Sequence, residues 1–309
     1  MGGEEQTKYA FFNGKIIDID DANINIRTIV LHYGIGLFEG IRYYWNPGQH
    51  KGYLFRVKEH YHRMIKNTKI LAMDIPYTVD ELTDITIELL KKEDFKQDTY
   101  VRPLAYYASQ DILQKLNSTE YGFAIFSFPM QAILDKDKGL DVCVSSWTRL
   151  NDNMTAARGK IIGAYVNISL VNHEAKQNGY DDGLILTSDG HISEGGGQNV
   201  AIIRNGQIIA PPVSDDILEG ITLASMEEFA SRELGLELIR RSIDRTEIYI
   251  ADEVFYLGTG AQITPIISVD KRKINDGNPG PITKKLQDLY FDIVRGENMK
   301  YGNWLTPVD

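Results

Sequence analysis

The spacing of apolar and polar residues changes several times along the chain, and each change marks an element. YAFFNGKIIDID reads as two short strands about Asn13-Gly14, a dipeptide that accepts the positive φ of a tight hairpin. GYLFRV is a strand running into a helix in which Val57, Tyr61, Met64, Ile65, Thr68 and Leu71 recur at helical spacing. TVDELTDITIELLKK predicts a second helix. Thr78 and Glu81 form its capping box, Leu82, Ile85 and Leu89 its apolar stripe, and Lys91 and Lys92 suit its C-terminal dipole. TYVRPLAYY and YGFAIFSF read as strands, separated by the polar stretch SQDILQKLNSTE.

The composition shifts near FPMQAILDKDKG, where a linker over residues 128–140 is expected between domains at 1–127 and 141–309. Beyond it come the strand LDVCVSSW and a helix, YVNISLVNHEAKQNG, that ends at Gly179. Short strands and turns fill residues 183 to 210, and a helix runs from about Thr222 to Leu234 before Gly235. The strands EVFYLG and ITPIISVD are joined by TGAQ, and ITKKLQDLYFDIV makes a last amphipathic helix. Strands and helices alternate irregularly, which predicts an α+β fold rather than a doubly wound sheet.

The 309 residues carry a net charge of −10, which disfavours nucleic acid and anionic membrane surfaces as partners. No apolar run reaches the ~18 residues of a membrane span, and the N-terminus has no basic-then-apolar signal pattern. The single cysteine, Cys143, excludes an internal disulfide. It fits a buried small hydrophobe in a reducing compartment, so a cytoplasmic location is expected.

Chemistry concentrates in the second half. In GHISEGGGQN one acid, Glu194, precedes three glycines, which allow another group to approach the backbone closely. A plain glycine-rich turn with a solvated acid would read the same way. LEGITLAS leads Gly220-Ile221-Thr222 into a helix whose free amides and dipole attract anions. LGTGAQ offers a second turn of amides. Lys160 lies in the mostly apolar segment TAARGKIIGAYVN. It either snorkels to solvent or is desolvated, in which case its amine becomes a carbonyl nucleophile. Glu59, His60 and His62 fall on different helix faces, so no metal site is expected.

A reactive lysine, a carboxylate and a phosphate-binding helix end are together what pyridoxal phosphate requires. The sequence resembles the fold-type IV (class IV) pyridoxal-phosphate aminotransferases, most closely the branched-chain amino acid aminotransferases. The matching stretches are LHYGIGLFEGIRYY, LFRVKEHYHRM, YVRPL, VSSWTR, the Lys160 segment, GYDDGLILTSDGHISEGGGQN, PPVSDDILEGIT, ADEVFYLGTGAQITP and GPITKKLQ. They run in order over almost the whole chain.

The resemblance implies a small N-terminal α/β domain, a larger C-terminal pseudo-barrel domain and the cofactor between them. Lys160 matches the Schiff-base lysine and Glu194 the acid that pairs with the pyridine nitrogen, with the following glycines, Gly197 included, letting backbone pack beside the ring. Tyr165 matches the tyrosine bonded to the phenolic oxygen and Leu218 a residue packed on the ring. Arg56, Ile221, Thr222 and Thr259 match the phosphate cup. Tyr33, Phe38, Gly40, Tyr100 and Arg102 match the substrate pocket, and Gly260 and Ala261 the turn that holds the α-carboxylate.

The resemblance also implies amino acids and 2-oxo acids as small-molecule partners, and a homodimer or higher homo-oligomer. One departure bears on substrate scope. Residues 108–119 lack the glycine-rich pocket loop usual after YVRPL, and Met130 and Ile133 stand where aromatic residues are common. An (R)-selective amine or D-amino acid transaminase is therefore the alternative. Aminodeoxychorismate lyase, which shares fold and lysine, fits FEG at 38–40 and YVR at 100–102 less well.

Overall fold

The computed structural model describes residues 6–111, 116, 119–130, 134 and 137–308. Residues 131–133, 135 and 136 of the expected linker over 128–140, Ile133 included, and residues 112–115, 117 and 118 of the atypical loop lie outside them. The chain divides into two compact units. One comprises residues 1–131, 159–163 and 292–309, and the other residues 132–158 and 164–291.

The first unit is built on an eight-stranded sheet. β1 (Tyr9–Phe12) and β2 (Lys15–Asp18) form the hairpin, with Phe12 opposite Lys15 and φ of 46° and 97° at Asn13 and Gly14. Then follow α1 (Ile29–Tyr33), β3 (Gly36–Phe38), β4 (Ile41–Asn46), β5 (Lys51–Phe55), α2 (Val57–Thr68), α3 (Val79–Glu93), β6 (Thr99–Tyr107) and β7 (Tyr121–Pro129). The C-terminal strand Leu305–Val308 pairs with β5, and the order continues β4, β6, β7, β1, β2. The capping box of Thr78 and Glu81 is formed at the start of α3. On α2, Val57, Tyr61, Met64 and Thr68 are buried and Ile65 is half-buried.

β3 and β4 were not legible as strands, and their arrangement follows from one residue. Both pair with β6, Phe38 opposite Leu104 and Ile41 opposite Val101. Pro103 lies opposite the gap. It has no N–H to donate, so the partner strand breaks there, at Glu39-Gly40, without losing a ladder bond. The Pro103 carbonyl still accepts from the Glu39 amide at 3.0 Å.

The second unit holds a nine-stranded sheet. Its elements are β8 (Leu140–Thr148), α4 (Tyr165–Gln177), β9 (Asp182–Leu186), β10 (Ile192–Glu194), β11 (Asn199–Arg204), β12 (Gln207–Ala210), α5 (Ile221–Leu234), β13 (Leu238–Arg240), β14 (Glu253–Gly258), β15 (Gln262–Val269), β16 (Arg272–Lys273) and α6 (Pro281–Val294). Parallel pairs (β8 with β9 and β15, β12 with β13) mix with antiparallel ones, and β10 also closes onto β11. One core of Val, Ile, Leu and Tyr side chains from β8, β9, β11 and β14 holds this sheet together. The architecture is α+β with a pseudo-barrel, as expected. Among the described residues no helix is long and apolar enough to cross a membrane.

Candidate active site

In the first unit the break at Glu39-Gly40 organises the candidate residues. Glu39 faces α2 and is 1% exposed. Its carboxylate takes two bonds from Arg63 at 2.7 Å and one from His60 Nδ1 at 2.8 Å. Burial alone would push that carboxyl up, but Arg63 and His60 outweigh it and hold it far below the usual range. His60 is pushed down, chiefly by burial against the pull of Glu39, with the charges of Arg63 and Lys160 adding to it.

Phe38, next along the strand, turns to the opposite face. Its amide donates to the Lys160 carbonyl at 3.0 Å, and Lys160 Nζ lies 4.8 Å from the Phe38 ring centroid. The Arg102 guanidinium stacks on the other aromatic partners, 4.5 Å from the Phe38 ring and 5.1 Å from that of Tyr100. Arg102 Nη2 donates to the Tyr100 hydroxyl at 3.3 Å. Gly40 is required here, because a Cβ on it would fall 1.9 Å from that hydroxyl. Arg42, opposite Tyr100 in the ladder, is 1% exposed, and its Nε and Nη2, like Arg102 Nε, are buried without a hydrogen-bond partner among the described residues. Buried guanidinium donors without acceptors are costly, so this face suits an anionic group.

Two further residues stand apart from that cluster. Tyr33 closes α1, and its carbonyl lies against Gly163, three residues after Lys160. Arg56 is the N-cap of α2 in the left-handed conformation (φ 50°). Its Nε bonds Glu59 at 2.8 Å and its guanidinium lies 4.7 Å from the Trp304 ring.

In the second unit the remaining candidates converge around Glu194, which is 4% exposed. Its Oε1 accepts from the Leu218 amide at 2.8 Å and from Asn199 Nδ2 at 2.9 Å. Its Oε2 pairs with Arg149 Nη2 at 3.0 Å, and Arg149 is anchored through Nε to the Asp216 carbonyl. Three donors converge on this one buried carboxylate and fix its aim.

Asn199 also bonds the Leu218 carbonyl and packs against Gly220, where a Cβ would meet its Oδ1 at 1.9 Å. Gly220 is the N-cap of α5, which has no side-chain cap and no acid in its first turn. The amides of Ile221 and Thr222 thus open the helix, the arrangement that favours an anion.

The turn at Thr259, Gly260 and Ala261 follows β14, whose Leu257 pairs with Asn199. Gly197 (φ 119°) lies 3.8 Å, measured from a would-be Cβ, from Ile168 on α4, the helix that begins at Tyr165. Glu194, Gly197, Leu218, Ile221, Thr222 and the 259–261 turn therefore lie on adjacent elements of one unit.

The model of the amino-transferase class IV family matches residues 36–269. The chain belongs to the class IV aminotransferases. It is 44% identical over 300 residues to a probable branched-chain-amino-acid aminotransferase of Aquifex aeolicus, covering 97% of this chain and 96% of that one. A branched-chain aminotransferase structure from Thermoproteus uzoniensis with norvaline aligns at TM-score 0.94 and 38% identity, covering 98% and 100% of the two chains. A branched-chain amino acid aminotransferase from Thermobaculum terrenum in its PLP-form aligns at TM-score 0.94 and 38% identity, covering 99% and 100%.

Class IV aminotransferases use pyridoxal phosphate, and so does this one. The residues fit it: a buried carboxylate held in place by three donors suits a ring nitrogen, and uncapped helix amides suit a phosphate. Sequence reasoning missed Arg149, Asn199, Glu39 and Arg42 as parts of these clusters. Arg149 was within reach, since VSSWTR ends a strand on an arginine, but nothing in the sequence pairs it with an acid 45 positions on.

Proposed function

We propose that this aminotransferase moves amino groups between branched-chain L-amino acids and 2-oxoglutarate in two half-reactions that share one site, a ping-pong scheme. The observation that carries the substrate reading is the stack of Phe38, Arg102 and Tyr100. One wall is apolar at the Phe38 ring and cationic at the Arg102 guanidinium, so the same pocket suits an aliphatic side chain or a second carboxylate. Tyr33 is a further partner for that carboxylate. The branched-chain names of the relatives point the same way.

Bound pyridoxal phosphate supplies an electron sink for the charge that develops at the substrate Cα. The chain's own groups do the rest. Lys160 Nζ would anchor the cofactor and, once the substrate amine has replaced it there and freed its own amine, would take the Cα proton and deliver it to C4′. Glu194 would hold the proton on the ring nitrogen. Tyr165 would hydrogen-bond the phenolic oxygen, Leu218 would pack on the ring, and Gly197 would let backbone lie close to it. The amides of Ile221, Thr222 and Thr259 would hold the phosphate, Arg56 would give it a counter-charge, and the Gly260-Ala261 turn would hold the α-carboxylate. Exposed Ile26, Leu31 and Tyr33 in the first unit, and Trp147, Val166 and Leu170 in the second, support a homodimer. The acidic charge and lone buried Cys143 suit a cytoplasmic enzyme.

A donor panel against 2-oxoglutarate tests the reading. kcat/KM is expected to be highest for L-Leu, L-Ile and L-Val, with parallel lines in double-reciprocal initial-rate plots. A preference for D-Ala or (R)-1-phenylethylamine would replace it with the D-amino acid or (R)-amine reading, and a lyase product from aminodeoxychorismate would replace the reaction class. Arg56→Ala is expected to lose cofactor faster on dialysis, since a charge-assisted bond to phosphate is worth about 1.5–3 kcal/mol. Retention equal to wild type would remove Arg56 from the cup.

A further inference from the structure

Beneath the turn that follows Glu194 lies a buried polar cluster with no part in the scheme above. Glu194 ends β10 and pairs with Asn199 at the start of β11, so Gly195–Gln198 is the turn of a hairpin carrying both residues. Asp182, the first residue of β9, lies under that turn and is 5% exposed. Its Oδ2 accepts from Gln198 Nε2, and its Oδ1 accepts from the Gly183 amide at 2.8 Å. The Gly196 amide also bonds the carboxylate.

From α4, Asn172 Nδ2 donates to the Gly196 carbonyl at 3.3 Å, which orients the amide. Asn172 Oδ1 is then buried without a hydrogen-bond partner among the described residues. A Cβ on Gly196 would lie 2.0 Å from Asn172 Oδ1 and 2.3 Å from Asp182 Oδ1. Two acceptor oxygens thus flank the same point, and one of them has no donor. Two acceptors facing each other repel unless a proton lies between them.

We propose that Asp182 is a positioning residue that works as a neutral acid: one proton shared by its Oδ1 and Asn172 Oδ1 clamps the Gly195–Gln198 turn and so fixes the aim of Glu194. The proposal rests on the reading that Glu194 serves the ring nitrogen.

The surroundings favour the neutral form. Burial is the largest influence and raises the Asp182 carboxyl to about 6, against the hydrogen bonds from Gly183 and Gln198 and the charge of Lys176 on α4. The other titratable groups facing it stay neutral. The Tyr256 hydroxyl on β14 is pushed well above its ordinary value by burial, and the Cys143 thiol on β8 is pushed up to about 11. With the folded value raised above about 3.8, the stabilising contribution is complete below that pH. It is lost as pH rises through about 6, above which the ionised group costs stability.

Asp182→Asn tests the proposal, because the amide imitates the neutral acid and can donate to Asn172 Oδ1. In apo-protein, the unfolding temperature of D182N minus that of wild type should be several degrees larger at pH 8 than at pH 5. With pyridoxal phosphate, the wild-type to D182N ratio of dissociation constants should rise about 3- to 10-fold between pH 5 and 8, the worth of one hydrogen bond. Taking the ratio cancels the lysine and phosphate titrations common to both proteins.

A temperature difference or a ratio independent of pH would overturn the inference. Wild type that fails to bind pyridoxal phosphate would instead sink the functional reading. Should D182N not fold, Asn172→Ala removes the second oxygen and should weaken the wild-type pH dependence of unfolding temperature between 5 and 8. An unchanged profile overturns the proposal equally.

Discussion

Lys160→Ala is expected to purify folded and to lose roughly 10⁴–10⁶-fold in kcat, the largest effect of any single change in this chain. Two proposed functions would leave with one amine: the covalent anchor for the cofactor and the carrier of the Cα proton. The fold should survive, because Lys160 is tied to its strand neighbour through main chain, Phe38 N to Lys160 O, which alanine retains. Borohydride reduction of the holoenzyme followed by peptide mass analysis should find the cofactor mass on the Lys160 peptide in wild type only. The same adduct on another lysine, or an alanine variant with activity close to wild type, would refute the assignment.

Glu194→Gln is expected to be second, with kcat down on the order of 10²–10³-fold and the cofactor still bound. The structure explains why a near-isostere should fail. Two donors meet Oε1 (the Leu218 amide and Asn199 Nδ2) and one meets Oε2 (Arg149 Nη2). Whichever way the glutamine amide turns, an NH2 group faces a donor, and Arg149 loses its buried counter-charge. The amide also cannot hold a proton on a ring nitrogen as a carboxylate does. Glu194→Asp keeps the charge and is expected to recover part of the loss. If the glutamine variant turned over within a factor of two of wild type, another group would have to fill that role.

Local signals carried much of this molecule. Asn13-Gly14 dictated its hairpin, Thr78 and Glu81 the start of α3, and Gly235 the end of α5, because turns and caps depend on residues a few positions apart. Likewise Lys160, Glu194 and Gly220–Thr222 could be singled out as chemistry because each stands in an unusual immediate context.

β3 and β4 were not legible in this way. They exist because both pair with β6, and Pro103 in that strand sets the break at Glu39-Gly40; no period within FEGIRYYWN reports that.

The sequence alone determined the types of the elements it predicted, the α+β class and the family resemblance, and it named the candidate residues for a lysine-linked phosphate cofactor. All of these rest on periodicity, caps and short motifs. Tertiary structure alone decided that residues 159–163 and the strand Leu305–Val308 join the first unit. It alone joined Arg149 and Asn199 to Glu194, paired Glu39 with His60 and Arg63, and faced Asp182 toward Asn172 across Gly196. A buried charge is stable only beside a partner, and those partners lie between 5 and 45 positions away along the chain in ways no local pattern encodes. Which acid stays charged and which takes a proton depends on burial and neighbours, and both are properties of the folded chain.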